Sequence, residues 1–391
     1  MTPSTSHLTD SHPITRLGLV LSGGGARGAY QAGVLLGISE IAAAAGISHP
    51  FKIVTGVSAG AVNAAFLASR REAWVDVTRT LADVWGDLTV DRVFKTDAVT
   101  AGRLGMRFLF DTAIGSMSKK KRTRSILDTS PLSEYLADRI RFSDIPKALS
   151  PDGVESVAIS AMNYTNAHSI TFVQSCRKIE MWNRSRRRGI ETPIGVEHVM
   201  GSSAIPLVFP PVRVGDDHFG DGSLRNTAPL SPAIHLGADR LLVISVRRPD
   251  HLRPKIEGHI EPSLARVAGV VLNSLLMDAI EFDMERLGRI NQTIDLMPQE
   301  ARERLNLRKV EYLWIRPSED IGAIARGLFH KLPNVIRYLV AGLGSPQEAA
   351  ELTSYLLFDK EFCGALTTLG RQNAYENRAE IERFLGITGN R

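Results

Sequence analysis

The stretch "GLVLSGGGARGAY", residues 18–30, decides how the first half of the chain is organised. A short apolar run ends at Ser22, a glycine-rich loop follows, and an apolar helical pattern begins near Ala29. An apolar run stopped by glycine predicts a buried strand. The loop then presents backbone N–H groups at the start of a helix, where negative charge is stabilised. It is therefore predicted to bind either a nucleotide phosphate or an oxyanion that forms during a reaction.

The same order of strand and helix is repeated directly after the first helix. Further elements are predicted as strands at residues 52–56, 154–164, 169–175, 240–247 and 311–317, and as helices at 29–46, 59–69, 195–206 and 263–291. Strands joined through a helix run parallel. The pattern thus predicts an α/β fold with parallel strands, and further helices toward the C-terminus.

The pattern also predicts a division of the chain into segments. Residues 1–15 are polar and are predicted to be a disordered tail. Residues 16–250 are predicted to form the main domain, in which the irregular stretch 70–131 is a candidate lid. Residues 251–391 are predicted to form a mainly helical extension packed on that domain.

Composition excludes several classes of protein. Cys176 and Cys363 form no disulfide framework and show no metal-ligand spacing, so reduced thiols and no metal site are predicted. No uncharged apolar run approaches the ~18 residues that span a bilayer. The polar N-terminus does not resemble a signal peptide. A cytoplasmic location is predicted, with membrane contact that is at most peripheral.

Positive charge is concentrated in two runs, although the net charge is only +5. These are "KKKRTR" at residues 119–124 and "RSRRR" at 184–188. Either run can be a solvated loop, or it can attract anionic lipid headgroups. The candidate headgroup or membrane contacts are Lys119, Lys120, Lys121 and Arg122. No aromatic residues are interleaved as in a nucleic-acid module, so no nucleic-acid partner is predicted.

The glycine loop satisfies G-x-G-x-x-G at residues 23–28. The dinucleotide fingerprint also expects an acidic residue roughly 20 positions later, which binds the ribose. Residues 49–58, "HPFKIVTGVS", contain no acid, and no Walker-type Gly-Lys-Ser/Thr follows the loop. Nucleotide binding is therefore the weaker alternative. The oxyanion alternative assigns the loop residues Gly23, Gly24, Gly25, Ala26, Arg27 and Gly28.

The next strand leads into a nucleophile elbow. Gly56, Ser58 and Gly60 form G-x-S-x-G between a predicted strand and a helix of small residues. In such a turn the glycines relieve crowding around a strained serine, and the serine hydroxyl is presented at a helix N-terminus. The alternative is that Ser58 only caps the helix.

A serine nucleophile needs a base. None of the ten histidines lies in a distinctive motif, and His218 comes nearest because it precedes Asp221 by three residues. Asp221 itself lies between two glycines in "FGDGSLRNTAPL", residues 219–230. Partial burial beside Ser58 would raise its basicity. The alternative is that this Asp-Gly pair only forms a turn.

Three segments in this order resemble the patatin-like phospholipases. The glycine loop resembles the family's oxyanion motif, residues 56–60 its nucleophile elbow, and Asp221-Gly222 the start of its Asp-Gly-Gly/Ala motif. "SSAIPLVFPPV", residues 202–212, resembles the segment ahead of the aspartate. Ser223 departs from the family pattern, but serine is small and should preserve the geometry.

The resemblance implies an α/β patatin-like fold of three layers (α/β/α), with a mostly parallel central sheet and a helical C-terminal extension. It also implies a serine acyl hydrolase with a Ser58–Asp221 dyad, no cofactor and a lipid or acyl-ester substrate. The expected activity is that of a phospholipase A, lysophospholipase or acylglycerol lipase. An acyltransferase or a general carboxylesterase could use the same dyad, and a non-catalytic lipid-binding module is disfavoured because both Ser58 and Asp221 are present. The sequence does not predict the oligomeric state.

Overall fold

A computed structural model describes residues 16–95, 127–249, 263–276, 278–305, 307–343, 345 and 348–387. The predicted tail at residues 1–15 lies outside these residues, as do the central part of the candidate lid and the basic run that includes Lys119, Lys120, Lys121 and Arg122. Within the described residues, no helix is both long and apolar enough to cross a membrane.

The strands are β1 (Leu17–Leu21), β2 (Ile53–Val57), β3 (Ser156–Asn163), β4 (His168–Ser175), β5 (Asn183–Arg184), β6 (Arg187–Glu191), β7 (Val212–Val214), β8 (Asp217–Asp221), β9 (Arg240–Ile244) and β10 (Glu311–Ile315). The helices of the first part are α1 (Gly28–Ala44), α2 (Ala59–Ala68), α3 (Trp74–Gly86), α4 (Ser130–Arg139), α5 (Ile145–Ala148), α6 (Val196–Ser202) and α7 (Ser231–His235). Those of the second part are α8 (Leu264–Leu276), α9 (Asp278–Leu296), α10 (Gln299–Arg304), α11 (Ile321–Gly327), α12 (Asn334–Leu343), α13 (Ala350–Leu356), α14 (Lys360–Glu376) and α15 (Arg378–Leu385).

The described strands form one ten-stranded sheet in the order β10-β9-β1-β2-β3-β4-β6-β5, and β8 pairs with β3 and with β7. The pairs from β10 to β3 are all parallel, as is β4 with β6. Strand β3 pairs antiparallel with both β4 and β8. The predicted α/β fold with a mostly parallel central sheet is therefore confirmed.

Alternate residues of the central strands face opposite helical layers, as expected when both faces of a sheet are covered. Leu19 and Leu21 of β1 join the core cluster that includes Tyr30 of α1. Val20, which lies between them, joins a second cluster that includes Met284 of α9. The central sheet therefore lies between two helical layers.

The region after residue 250 is mainly helical, and it also completes the sheet. Strand β10 pairs in parallel with β9 through the register Trp314↔Val243. Helix α14 packs along α1. The predicted helix at 263–291 is described as α8 and α9, and it extends to Leu296. The boundary proposed at residue 250 stays a prediction.

Candidate active site

Ser58 occupies a sharp turn between β2 and α2. Its backbone has φ 54° and ψ −125°, which a residue with a side chain adopts only under strain. The flanking glycines allow the turn to close. A Cβ on Gly56 would lie 2.1 Å from the carbonyl oxygen of Gly60, and a Cβ on Gly60 would lie 2.3 Å from that of Leu21. No larger residue fits at either place, which is the steric reason for the G-x-S-x-G spacing.

The side chain of Ser58 makes no capping hydrogen bond to α2. The alternative in which Ser58 serves only as a helix cap therefore lacks the bond that would define it. The Ser58 amide instead donates to the hydroxyl oxygen of Ser202 at 2.9 Å. Ser58 is also buried, although it lines an apolar pocket.

Asp221 is fully buried at the end of β8. Its Oδ1 accepts a hydrogen bond from the Ser223 amide at 2.9 Å, which caps the short 3-10 helix Gly222–Arg225. Its Oδ2 accepts no hydrogen bond from the described residues. One oxygen thus forms the turn that the sequence suggested, while the other is buried and without a partner.

Burial raises the pKa of the Asp221 carboxyl above its ordinary value, and the nearby Ser58 hydroxyl and the Ser223 amide and hydroxyl oppose that rise in part. A buried carboxylate is a stronger base because the charged form is poorly solvated. The hydroxyl of Ser58 influences the carboxyl without making a short hydrogen bond to it. Such bonds often tighten only when substrate is bound.

Sheet pairing explains why Ser58 and Asp221 meet. Strand β2 pairs with β3 in the register Val57↔Ser160, and β8 pairs with β3 in the register Ala161↔Asp221. The next residue after Val57 is Ser58. Two positions that are distant in the sequence therefore come to adjacent points beside the same strand.

The glycine loop passes next to Ser58 and Ser223. A Cβ on Gly23 would lie 3.2 Å from the Ser58 Cβ and 2.7 Å from the Ser223 Oγ. The loop continues into a 3-10 turn, Gly25–Arg27, in which the Arg27 amide donates to the Gly24 carbonyl at 3.1 Å. The amides of Gly25 and Ala26 open this turn, so neither has an acceptor within it.

Arg27 was predicted with the loop, and its side chain has a distinct set of partners. Its Nε donates to the Ser354 hydroxyl at 2.8 Å, and it forms an ion pair with Glu351. The guanidinium also lies 4.4 Å from the centre of the Tyr355 ring. These partners all belong to α13. The Arg27 side chain therefore ties the glycine loop to α13.

Gly25 and Gly28 allow close packing around the loop. Gly25 has φ 55°, and a Cβ there would lie 2.4 Å from the Tyr355 carbonyl oxygen. A Cβ on Gly28 would lie 2.6 Å from the Trp85 ring. Gly222, in the aspartate motif, fits in the same way because its Cβ would lie 2.0 Å from the Ser160 carbonyl oxygen.

An apolar pocket opens at Ser58. It lies between α2, α3, α4 and the segment that follows α6, and its lining includes Val62, Trp85, Leu136, Ile205 and Phe209. Among the described residues that line it, none is a histidine. Helix α3 belongs to the described part of the candidate lid and α4 begins at its C-terminal end, and the lid itself stays a prediction.

Two other sequence features lie elsewhere. The basic run at 184–188 forms the hairpin of β5 and β6, and most of it is exposed.

The buried His198 accepts a hydrogen bond from the Gly195 amide at 3.0 Å, so it helps to cap helix α6. Its ring also packs against Phe172. Burial lowers the pKa of this histidine, which favours its neutral form.

Sequence reasoning did not assign Ser202 or α13 to the site. Ser202 was quoted only as part of the segment ahead of the aspartate, and its contact with Ser58 spans 144 positions. Arg27 and Ser354 are separated by 327 positions. No local pattern indicates contacts at such separations.

A family model described as patatin-like phospholipase matches residues 19–234, which is more than half of the chain. No curated protein matches the sequence. Structural similarity is found to VipD from Legionella pneumophila, with 13% identity, a TM-score of 0.31, and coverage of 88% of this chain and 67% of that chain. It is also found to human GIVD cytosolic phospholipase A2 in complex with methyl gamma-linolenyl fluorophosphonate, with 12% identity and a TM-score of 0.39. That match covers 96% of this chain and 59% of the human chain, so this chain spans less than two thirds of the human protein.

Proposed function

The chain belongs to the patatin-like phospholipase family, and on that premise we propose that it is a serine-dependent lipid acyl hydrolase. The substrate is an ester-linked fatty acid of a phospholipid, lysophospholipid or acylglycerol. The nucleophile is Ser58 and the base is Asp221. One observation carries the proposal: a strained serine that lines an apolar pocket lies beside a buried carboxylate with one unpartnered oxygen.

The proposed reaction has two halves. Asp221 accepts the proton of the Ser58 hydroxyl as Oγ attacks the ester carbonyl. The carbon–oxygen bond to the leaving alcohol then breaks, and the alcohol takes the proton from Asp221. In the second half, a water molecule gives a proton to Asp221 and attacks the acyl-enzyme, and the proton returns to Ser58 as the fatty acid leaves.

The negative charge of each tetrahedral intermediate is proposed to lie against the amides of Gly24, Gly25 and Ala26. The amides of Gly25 and Ala26 have no acceptor within the turn that they open, and the loop passes beside Ser58. Preorganised N–H donors of this kind stabilise an oxyanion by about 3–4 kcal/mol each. The same glycines are thus proposed to act on a transient charge rather than on a nucleotide phosphate.

The apolar pocket is the proposed site of the acyl chain. None of the described residues that line the pocket has a charged side chain. The pocket therefore suits a hydrocarbon chain and disfavours a polar acyl group. The headgroup would then remain outside the pocket.

An acyltransferase could use the same dyad as a hydrolase. The two activities are distinguished by identifying the products that form when alcohol acceptors are added.

The first prediction concerns labelling by a fluorophosphonate, which reacts with an activated serine. The wild-type protein is expected to be labelled, and Ser58→Ala is expected to abolish labelling. Asp221→Asn should slow ester hydrolysis by about 10²–10⁴-fold because it removes the base. Gel fluorescence and a chromogenic ester assay measure the two effects.

Asp217→Asn is the matched control, because Asp217 lies on the same strand but is paired with Asn163 away from Ser58. It should leave both readouts close to wild type. Labelling that persists in Ser58→Ala, or hydrolysis that is untouched in Asp221→Asn, would refute the dyad.

A further inference from the structure

Ser202 makes two hydrogen bonds in a fully buried position at the end of α6. Its hydroxyl accepts from the Ser58 amide at 2.9 Å and donates to the Ser160 carbonyl oxygen at 2.6 Å. Both capacities of the hydroxyl are therefore used within the backbone around the nucleophile. Among the described residues, no other serine hydroxyl bonds to both the Ser58 amide and the Ser160 carbonyl.

The position of this hydroxyl in the sheet is informative. Strands β2 and β3 pair in parallel up to the register Val57↔Ser160. In a parallel ladder, a residue bonds to the two residues that flank its partner. The Ser202 hydroxyl lies between the Ser58 amide and the Ser160 carbonyl, so it bridges the strands where the backbone of Ser58 turns away into the elbow.

The segment after α6 also holds the base. The Asp221 amide donates to the carbonyl oxygen of Ala204 at 2.9 Å. Ser202 and Ala204 are only two positions apart, so one short segment fixes the backbone of both Ser58 and Asp221. The neighbouring residues Ser203 and Ile205 line the apolar pocket.

We propose that Ser202 is a positioning residue that holds the strained elbow so that the Ser58 hydroxyl faces Asp221. This inference rests on the proposed function. The bond engages the Ser58 amide, so this amide is not a donor to the oxyanion, and that role falls to the glycine loop. Without the bridge, the elbow can relax from φ 54°, and the hydroxyl moves relative to both Asp221 and the loop.

The test compares Ser202→Ala with Ser39→Ala. Ser39 is a matched control because it is also buried and its hydroxyl also has two partners, the Leu36 carbonyl at 2.8 Å and the Thr78 hydroxyl at 2.6 Å. It lies on α1 away from the elbow. Both variants should therefore lower the melting temperature to a similar extent, whereas only Ser202→Ala should impair the nucleophile.

Expected results for Ser202→Ala are a loss of about 10²-fold in kcat and in the rate of fluorophosphonate labelling, since small misplacements have effects of this size. KM for a short-chain ester should change by less than about threefold, because the acyl pocket is intact. Ser202→Cys provides a second variant of similar volume if the alanine variant does not fold. Its thiol is a weaker donor and acceptor, so its rate should be intermediate.

Two results would overturn the inference while leaving the proposed function intact. One is labelling of Ser202→Ala at the wild-type rate with a fall in melting temperature that matches Ser39→Ala. The other is a rise in KM with an unchanged kcat, which would make Ser202 a part of substrate binding. A wild-type protein that is not labelled would instead refute the proposed function, and the inference with it.

Discussion

The two carboxylate oxygens of Asp221 lie in different surroundings. Oδ1 is bound by the Ser223 amide, as in an ordinary Asp-Gly turn, while Oδ2 is buried and has no partner among the described side chains and amides. The two interpretations that the sequence left open, turn formation and catalysis, are therefore compatible in one residue. The turn fixes the carboxyl in place, and the second oxygen remains available to accept a proton.

The pKa of Asp221 gives a prediction about pH. A general base must be ionised, and burial raises the pKa of this carboxyl, so the acidic limb of kcat/KM should lie above the ordinary titration range of aspartate. The Ser223 amide lowers that pKa in part, and the Ser223 hydroxyl adds a smaller contribution in the same direction. Ser223→Ala removes the hydroxyl and should therefore move the acidic limb to higher pH. Rates of ester hydrolysis measured across the acidic range test this.

Ser223→Ala is a mild change because the resembled family carries glycine or alanine at this place. The Ser223 hydroxyl is close enough to Asp221 to lower its pKa, but it makes no short hydrogen bond to a described residue, so its removal leaves no new unsatisfied group there. A limb that stays in place, or that moves to lower pH, would contradict the proposed influence of Ser223 on Asp221. Ser39→Ala should leave the profile unchanged.

Short-range spacing explains what the sequence could predict at this scale. Gly56, Ser58 and Gly60 act within one turn, so their pattern is visible in five letters. Ser202 and Arg27 act through partners more than a hundred positions away, so their roles depend on the sheet and on α13. The sequence assigned Arg27 only to the glycine loop, and the partners of its side chain are found only when the chain is folded.

The helices α1 and α14 approach one another through small residues. A Cβ on Gly33 of α1 would lie 2.0 Å from the Thr367 carbonyl oxygen, and a Cβ on Gly370 of α14 would lie 2.2 Å from the Tyr30 carbonyl oxygen. Helix α1 was predicted from its apolar spacing at nearly its observed bounds. Helix α14 lies within the region that was predicted to be mainly helical, but its contact with α1 was not predicted, because close packing through glycines leaves no periodic signal in the sequence.

This packing can be tested within one helix. Gly370→Ala should destabilise the protein by about 1–3 kcal/mol because the added methyl overpacks the contact with α1. Gly364→Ala, in the same helix, has nothing within 4 Å of its Cβ. That variant should gain about 0.5–1 kcal/mol from the helix preference of alanine. Thermal and denaturant unfolding measure the difference, and equal effects of the two substitutions would contradict the packing.

At the scale of the whole molecule, a lipid-directed enzyme must meet its substrate at a surface. The basic run at residues 119–124 lies outside the described residues, and its role is a prediction from charge alone. Each basic residue near an anionic surface contributes about 1 kcal/mol at low salt. The proposal is therefore that the run attracts the protein to anionic vesicles.

We expect a charge-reversal variant to bind anionic vesicles at least about 10²-fold more weakly at low salt. In this variant, glutamate replaces Lys119, Lys120, Lys121 and Arg122. Binding of the wild type should fall as salt is raised. Vesicle co-sedimentation provides the measurement. The comparison variant reverses Arg184, Arg186 and Arg188, which lie on the exposed hairpin of β5 and β6. Equal losses in the two variants would mean that net charge matters rather than the run at 119–124.

The link between Arg27 and α13 has a consequence for the order in which the protein matures during synthesis. The motifs that contain Ser58 and Asp221 leave the ribosome well before the residues of α13 that bind Arg27 of the glycine loop. Glu351, Ser354 and Tyr355 follow Asp221 by more than a hundred residues. Translation at ~5–20 residues per second separates the two events by several seconds or more. A nascent chain that already contains both proposed catalytic residues therefore still lacks the partners of Arg27, and the glycine loop is tied to α13 only after that helix has been synthesised.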